Sequence, residues 1–429
     1  MLFKNINIVD ENFKIKKEQN VLVEKDRITY VGNDIPKCYK GDEYNGSGKL
    51  LMSGFFNIHA HSPMTLMRGY GENMNLQDWL EKKIFPFEAC LDSEAVYWGT
   101  MLAAAESLKN GIVSTSDMYY FCEDMINAFS DAKVKVNIGR AVTCFGSESI
   151  NELESFHEAE DVYKKYNGAE NGRIKVDMSL HAEYTSTEKI VRELAEKTCE
   201  MGTRMHVHVS ETKFECEKCK ERHQGRTPIK YFYDCGLFNA RTTAAHCVWI
   251  EDEDIEILKY NNVTVASCPV SNLKLASGVC RASDLIERGV NVGIGTDSVA
   301  SNNSLDYFEE MKFFALLGKG FMYDPTLLTP KQVLYAGTRA GALSQDRNDS
   351  GMILAGNKAD LIVLDIDSLN MQPEISLTNN LVYSGSAGQV ELTMVDGNIL
   401  YRKGQFTTID IEKVKYNVNR ITDKILEKL

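Results

Sequence analysis

The chain has 429 residues, of which 43% are hydrophobic and 25% are charged, and its formal net charge is −13. This composition is typical of a globular protein with a large core. The acidic balance argues against a nucleic-acid or membrane-surface partner, because both require clustered Lys and Arg. No stretch approaches the roughly 18 consecutive apolar residues of a membrane span.

The amino-terminal residues and the cysteines bear on the cellular compartment. The first residues, MLFKNINIVDENFKIKK, alternate like a strand and lack the apolar region and cleavage site of a signal peptide. The eleven cysteines show no disulfide-framework spacing, which favours reduced thiols. We therefore expect a cytoplasmic protein.

The two ends of the chain share a β-rich pattern. Residues 1–50 contain short alternating segments separated by Gly, Asn and Asp, and residues 350–409 repeat this pattern in ADLIVLDID and VELTMVDGNILYRKGQF. Such segments predict β-hairpins. We expect residues 1–50 and 350–429 to form one small β-sandwich domain, completed by a charged terminal helix over 410–429.

The middle of the chain alternates strands with longer helical patterns. Eight Val/Ile-rich segments predict strands at 50–58, 111–118, 134–142, 173–182, 204–211, 242–248, 263–269 and 290–297. A helix is predicted to begin at Asp92 or Ser93 and to end at Gly111. Eight such units predict a TIM-type (β/α)8 barrel over 51–349, which carries its chemistry at the carboxyl ends of its strands.

Polar residues cluster at those predicted strand ends. His59 and His61 end the first strand, His208 and Glu211 end the fifth, and Asp297 ends the eighth. His181 ends the fourth strand and His246 ends the sixth. His206 lies on the same face as His208, one layer deeper. Six of the eight histidines therefore fall at the barrel mouth or one layer below it.

Four of these residues have the chemistry of a metal site. His59 and His61, at positions i and i+2, face the same side of a strand, and His208 and Asp297 come from strands that meet them in a closed barrel. Three imidazoles and one carboxylate suit one divalent cation that activates water. Zinc is the first expectation for this thiolate-free set, and iron or manganese the second.

Each signal has an ordinary structural explanation when it is taken alone. An H-x-H pair is weak evidence of metal binding, His246 is compatible with a core histidine, and Asp297 with a helix cap. Only their conjunction at separate strand ends favours a metal centre. A structural zinc fits poorly, because such sites are usually closed by cysteines. The C-x-x-C pair Cys216 and Cys219 has no second pair at finger spacing, so we expect reduced structural thiols there.

The motifs together resemble a known superfamily. H-A-H after GFFNI, H-V-S-E-T, A-H-C-V-W, S-C-P-V-S-N-L-K-L-A-S-G and G-T-D-S-V-A-S-N-N-S-L-D resemble the amidohydrolase superfamily. Within it, the chain is most similar to the aminohydrolases that deaminate 5′-methylthioadenosine and S-adenosylhomocysteine. The likeness runs over nearly the whole chain, including the flanking β segments.

The resemblance implies a role for each matching position. His59, His61, His208 and Asp297 would bind the metal, Glu211 would transfer protons, and His246 would orient the attacking water. For the nucleoside, Glu88 in FPFEAC would bind the ribose hydroxyls, Arg140 in NIGRAV the tail of the substrate, and His181 in SLHAEY the nucleoside itself. The reaction implied is loss of the 6-amino group of an adenine nucleoside as ammonia.

Some positions depart from the family pattern. Ser53 replaces a usual proline before the H-x-H glycine, and SVAS follows Asp297 where small residues with a glycine are usual. Strand four lacks the lysine that bridges two metals in some members, which predicts one metal. The substrate stays open among 5′-methylthioadenosine, S-adenosylhomocysteine, adenosine and 5′-deoxyadenosine.

Three functional alternatives remain at this point. The first is the nucleoside deaminase, and the second is a related hydrolase of guanine, pterin or triazine, which would not need Glu88 because a free base has no diol. The third is a catalytically silent scaffold, which the complete residue set disfavours. The sequence leaves the oligomeric state open, although barrels of this kind often form homo-oligomers.

Overall fold

The structure is a computed structural model that describes residues 1–36 and 39–429. Its strands are β1 (Leu2–Val9), β2 (Ile15–Glu24), β3 (Arg27–Gly32), β4 (Glu43–Asn45), β5 (Lys49–Ser53), β6 (Phe55–Ala60), β7 (Ile112–Tyr119), β8 (Lys135–Val142), β9 (Ile174–Leu180), β10 (Met205–Val209), β11 (Thr242–His246), β12 (Thr264–Ser267), β13 (Asn291–Ile294), β14 (Leu361–Asp365), β15 (Val390–Val395), β16 (Asn398–Arg402) and β17 (Gln405–Phe406).

The helices lie mainly between the barrel strands. They are α1 (Leu76–Trp79), α2 (Phe85–Glu88), α3 (Ser93–Lys109), α4 (Cys122–Ala132), α5 (Glu154–Tyr166), α6 (Ala169–Gly172), α7 (Glu188–Met201), α8 (Lys213–Arg222), α9 (Pro228–Asp234), α10 (Asp252–Tyr260), α11 (Pro269–Lys274), α12 (Ala282–Glu287), α13 (Val299–Asn302), α14 (Tyr307–Met322), α15 (Pro330–Tyr335), α16 (Gly341–Ser344), α17 (Leu377–Tyr383) and α18 (Ile411–Leu426). Within the described residues, no helix combines the length and the apolar character needed to cross a bilayer.

The eight central strands form the predicted barrel. Strands β6 to β13 pair in parallel and in chain order. The ring closes through a parallel bridge between Ala60 and Asp297, where the Asp297 N–H donates to the His59 carbonyl at 2.9 Å. Every residue of β6 and β7 is buried, as expected for parallel strands covered on both faces. The closing bridge brings the first and last strand ends together.

The first predicted strand, 50–58, is two strands in the structure. Lys49–Ser53 pairs with β1 and β14, whereas Phe55–Ala60 pairs with β7. Gly54 separates them, and a Cβ built there would lie 2.3 Å from Cγ1 of Val113. The backbone therefore approaches β7 too closely for any side chain, and the chain leaves one sheet for the other at this glycine.

The two ends of the chain meet in one mixed nine-stranded sheet. Its order is β17-β16-β15-β14-β5-β1-β2-β3, with β4 beside β1. A separate hydrophobic cluster that includes Phe3, Val21, Leu361 and Leu392 fills this part of the molecule. Residue 50, where the small domain was expected to stop, lies inside β5. The proposed boundaries at 50 and 350 remain a prediction.

The two helices predicted most specifically are present. The Asp92 carboxylate accepts the Ala95 N–H at 2.9 Å and begins α3, and Gly111 follows its end with φ +84°. The terminal helix α18 is capped by Asp410 and buries Val414, Val418, Ile421 and Ile425. It contacts α3, so the end of the chain packs on the barrel.

Candidate active site

The predicted site residues surround a cavity at the carboxyl ends of the barrel strands. Seven of the nine predicted side chains line it, namely His61, Glu88, His181, His208, Glu211, His246 and Asp297. His59 lies below them and is fully buried. Arg140 lies outside this cavity. The barrel therefore brings together eight of the nine residues.

The four predicted metal ligands converge on one point. Oδ1 of Asp297 lies 3.5 Å from Nε2 of His59 and 3.3 Å from Nε2 of His61. Nε2 of His208 lies 3.3 Å from Nε2 of His61. Ligands about 2.0–2.1 Å from a tetrahedral ion are about 3.3 Å apart. The observed separations match that spacing.

The other ring nitrogens fix the direction of the lone pairs. Nδ1 of His61 donates to the Met118 carbonyl at 2.6 Å, and Nδ1 of His208 donates to the His181 carbonyl at 2.7 Å. Because a carbonyl only accepts, each Nε2 carries a lone pair that faces the other. Between two neutral rings such an arrangement is repulsive, and either a cation or a proton between the two nitrogens relieves it.

His59 provides an independent indication of a missing partner. Its Nδ1 lies 2.9 Å from Nε2 of His206, and its buried Nε2 has no hydrogen-bond partner among the described residues. A buried polar atom without a partner is costly. The donor set is therefore compatible with a divalent cation bound by His59, His61, His208 and Asp297.

The charge balance at the site also accommodates a cation. Burial lowers the pKa of His59 to about 4 and lowers that of His208 well below its usual range, so both rings are neutral. Burial alone would raise the pKa of Asp297, but its contacts with His59 and His61 hold it well below its usual range. Burial opposes a charge on His61, yet its contact with Asp297 raises its pKa to about 9. An ionised carboxylate thus faces this space.

Two serines that sequence reasoning missed hold Asp297 in place. Oδ2 of Asp297 accepts hydrogen bonds from the hydroxyls of Ser271 at 2.5 Å and Ser301 at 3.1 Å. Asp297 itself has φ +59°, a strained conformation for a residue with a side chain. Both serines lie in the motifs quoted above, SCPVSN and TDSVAS, and the latter includes the stretch that departs from the family pattern.

Glu211 occupies a turn directly after β10. Burial raises the pKa of Glu211, and its Oε2 lies 3.9 Å from Nε2 of His246. The carboxylate of Glu215 accepts the backbone N–H groups of Ser210 at 2.9 Å and Glu211 at 2.7 Å. Glu215 therefore fixes the turn that positions Glu211. The capping-box spacing of Thr212 and Glu215 was a sequence signal for this arrangement.

His246 ends β11 in a left-handed backbone conformation, with φ +74°. Its Nδ1 lies 2.9 Å from Oδ1 of Asn272 and donates to it. Nε2 is therefore the acceptor, and it faces the cavity beside Glu211. Donor atoms of His59, His246 and Asp297 lie within 4.8 Å of one another, so His246 adjoins the predicted metal position. Asn272 was not identified from the sequence.

Glu88 and His181 also line the cavity, and the centre of the His181 ring lies 5.0 Å from that of the His208 ring. Burial raises the pKa of Glu88 to about 7, and the neighbouring Tyr119 hydroxyl partly offsets this rise. Burial lowers the pKa of His181 to about 4, and its Nδ1 lies 3.0 Å from the Thr185 hydroxyl. A carboxylate and a neutral imidazole thus face the same space.

Arg140 lines an adjoining cleft that shares Phe85, Glu88 and Tyr120 with the main cavity. Nε of Arg140 donates to Oε2 of Glu158 at 2.5 Å, and its guanidinium lies 5.0 Å from the centre of the Tyr120 ring. The other acidic residues lining the cleft are Glu88, Glu123, Asp124 and Asp161. Arg140 is therefore next to the cavity, with its charge already paired.

The C-x-x-C pair forms no site of its own in the described part of the chain. The thiols of Cys216 and Cys219 are free and buried, and they lie beside the carbonyls of Trp249 and Arg226. Cys219 also lies near Glu183 and His223. The Glu183 carboxylate is already occupied by Arg222 and by His223, the latter at 2.7 Å.

Comparisons with known proteins identify the family of the chain. A sequence profile of the amidohydrolase family matches residues 50–400. The 5-methylthioadenosine/S-adenosylhomocysteine deaminase of Dictyoglomus turgidum is 37% identical over 430 residues, covering 100% of this chain and 99% of its own. The 5′-deoxyadenosine deaminase of Methanobrevibacter smithii is 36% identical over 410 residues, covering 95% and 94%.

A solved structure of a similar protein has the same fold. The crystal structure of an adenosine deaminase from Xanthomonas campestris with bound zinc superimposes with a TM-score of 0.94 at 28% sequence identity. The match covers 99% of this chain and 98% of the other. With a profile match over most of its length and relatives of this similarity, the chain belongs to the amidohydrolase family.

Proposed function

We propose that the chain is a zinc-dependent hydrolytic deaminase of adenine nucleosides. It removes the 6-amino group of 5′-methylthioadenosine, S-adenosylhomocysteine, adenosine or 5′-deoxyadenosine and releases ammonia and the inosine analogue. The observation that carries this proposal is the convergence of His59, His61, His208 and Asp297 beside Glu211, in one cavity at the barrel mouth. The deaminase names of the full-length relatives support the same reaction.

The metal would be bound by the three imidazoles and Asp297. A divalent cation in such a site acts as a Lewis acid and brings the pKa of coordinated water from near 16 to about 7. The nitrogen-rich donor set without thiolate favours zinc, and the zinc in the similar adenosine deaminase supports that choice. The absence of a bridging lysine on strand four supports one ion.

Glu211 and Asp297 would move the protons. Burial raises the pKa of Glu211, which keeps a proton available for N1 of the adenine ring and makes C6 electrophilic. Asp297, held ionised, would accept a proton from the attacking water. Asp297 would then pass its proton to the amino group, which leaves as ammonia, while Glu211 would regain a proton from the C6 hydroxyl. Nε2 of His246 would orient the attacking oxygen.

Other side chains of the cavity would recognise the nucleoside. One ionised carboxylate accepts hydrogen bonds from two vicinal hydroxyls, and Glu88 is the acidic residue lining the cavity that is neither a predicted metal ligand nor the predicted proton carrier. His181 would contact the nucleoside from the end of β9. A diol-binding carboxylate favours a nucleoside over the free bases guanine, pterin or triazine.

The test is ammonia release by the zinc-loaded protein from the four nucleosides and from adenine and guanine. We expect release from nucleosides, and a kcat lowered by about 10²–10⁴-fold in Glu211→Gln with zinc content unchanged. Glu196→Gln, which changes an exposed acid on α7, is the matched control and should retain full activity. Ammonia from a free base alone, or full activity in Glu211→Gln, would contradict the proposal.

A further inference from the structure

A second cavity lies at the opposite end of the barrel, where strands β10 to β13 begin. Its volume is about 530 Å³. Three of its lining residues are cationic, Arg204, Arg241 and Lys331, and none of the described lining residues is acidic. This concentration of positive charge occurs in a chain of net charge −13. We call this space the floor cavity.

Arg204 is the unusual residue of the floor cavity. It is 6% exposed, directly precedes β10, and forms no ion pair with any residue that the structure describes. Its Nε has no hydrogen-bond partner in the described chain, and its single hydrogen bond runs from Nη2 to the Thr243 hydroxyl at 3.5 Å. A buried cation with so few partners is costly.

The acidic groups near Arg204 accept no hydrogen bond from it. The buried Asp177 carboxylate attracts Arg204 electrostatically, but it accepts both of its hydrogen bonds from the Asn137 amide, at 3.1 and 3.2 Å. Asp346 is paired with Arg241 at 2.5 Å. The guanidinium of Arg204 is therefore left with donors that no protein acceptor uses.

The remaining walls suit a small anionic ligand with an apolar part. Lys331 is exposed at the start of α15 and forms no ion pair in the described part of the chain. Amide side chains lie on the same wall, and the apolar lining residues are Ile286, Val290, Val292, Tyr335 and Leu343. Guanidinium groups bind phosphate oxygens through two parallel hydrogen bonds.

We propose that the floor cavity binds a phosphate group, either inorganic phosphate or the phosphate of a monoester. Arg204 is the buried residue that binds it, and Lys331 and Arg241 supply charge at the rim. The site is separate from the proposed catalytic cavity at the other end of the strands. It therefore does not depend on the proposed deaminase activity.

The experiment is isothermal titration of the zinc-loaded protein with inorganic phosphate and, separately, with phenyl phosphate. We expect saturable binding, weakened by about tenfold or more in Arg204→Met and by a smaller factor in Lys331→Gln. The control is Arg420→Gln, an arginine on α18 that pairs with Glu94, and it should bind like the unmodified protein. Tighter binding of phenyl phosphate would identify the ligand as a monoester, and equal binding would identify phosphate itself.

Two results would overturn the proposal. One is the absence of saturable binding of either probe to the unmodified protein. The other is equal affinity in the unmodified protein and in Lys331→Gln and Arg241→Gln, both of which change exposed side chains and should fold even if Arg204→Met does not. Phosphate binding to the catalytic zinc would give that second result.

Discussion

At the scale of single residues, Glu88 has the property most easily measured. Burial raises its pKa to about 7, so its charge changes within the ordinary working range of an enzyme. Only the ionised carboxylate accepts hydrogen bonds from both hydroxyls of a ribose. The affinity for a nucleoside should therefore depend on pH through the ionisation of Glu88.

We expect the KM for adenosine to rise as the pH falls through 7. A group with a pKa of about 7 is about ten times more ionised at pH 8 than at pH 6, so KM should differ by about tenfold. In Glu88→Gln, KM should be high and independent of pH, whereas Glu81→Gln, an exposed acid nearby, should behave like the unmodified protein. A KM for adenosine that is flat from pH 6 to 8 in the unmodified protein would show that Glu88 does not bind the diol.

The pair of Arg140 and Glu158 concerns the 5′ substituent. S-adenosylhomocysteine has a carboxylate in its tail, and 5′-methylthioadenosine has none. Because Arg140 is already paired with Glu158, a tail carboxylate must compete for the guanidinium. The cleft as it stands should favour the uncharged tail.

We expect Glu158→Gln to raise kcat/KM for S-adenosylhomocysteine by about fivefold, the scale of a partly exposed ion pair. The kcat/KM for 5′-methylthioadenosine should not change. The measurement is therefore the ratio of the two kcat/KM values, S-adenosylhomocysteine over 5′-methylthioadenosine. Glu123→Gln removes an acid from the same cleft that pairs with Lys165 instead, and it serves as the control. An unchanged ratio in Glu158→Gln and in Arg140→Gln would exclude contact between Arg140 and the tail.

Residues of the site differ in how far the sequence could identify them. His59, His61, His208 and Asp297 could be predicted to converge, because each ends a strand and a barrel places all strand ends on one face. Ser271 and Asn272 could not, because their contacts depend on where the loops after the strands fold back, whereas the capping-box spacing of Thr212 and Glu215 was a local signal for Glu215. Similarly, Glu158 lies on α5, and nothing local showed that it would pair with Arg140.

At the scale of elements, a buried ion pair joins the mixed sheet to the barrel. Nζ of Lys135, at the start of β8, lies 2.5 Å from Oδ2 of Asp360, which precedes β14. Lys135 is 3% exposed and Asp360 is fully buried. Asp396, in the turn between β15 and β16, lies 2.8 Å from the same amine. The pair therefore connects β8 with two strands from the end of the chain.

We expect Lys135→Met to destabilise the protein by about 3–5 kcal/mol, because it leaves the Asp360 carboxylate buried without a counter-ion. Lys135→Met/Asp360→Asn should recover much of this loss, because the amide keeps the shape without the charge. Burial alone would raise the pKa of Asp360, but Lys135 holds it below its ordinary value. The stabilisation is therefore present above the ordinary carboxyl range and is lost as the pH falls.

Denaturant unfolding of the metal-loaded variants measures this effect. Lys428→Met, which changes an exposed lysine near the end of the chain, should unfold like the unmodified protein. If Lys135→Met also unfolds at the unmodified midpoint, the ion pair does not connect the two sheets energetically.

The split between β5 and β6 at Gly54 could not be predicted from the sequence. Residues 50–58 are predominantly apolar, so the pattern predicts one strand. The change of sheet is explained by the close approach of Gly54 to Val113.

At the scale of the whole molecule, the barrel separates two kinds of chemistry. The carboxyl ends of the strands carry the histidines and the acidic residues of the cavity, whereas the other ends carry the cationic floor cavity. The order of the eight strands could be predicted from their alternation with helices, because parallel neighbours need helical crossovers. The pairing of the two chain ends in one sheet could be predicted only from the similarity of their sequence patterns. The cytoplasmic location and the homo-oligomeric state remain predictions.

The central claim is that His59, His61, His208 and Asp297 together bind one divalent cation. Elemental analysis of protein purified with zinc and then freed of unbound metal tests it most directly. We expect one zinc ion per chain in the unmodified protein, and almost none in His61→Ala and His208→Ala, with their folded state checked by circular dichroism. Two ions per chain, no ion, or an unchanged zinc content in folded His61→Ala and His208→Ala would contradict the claim.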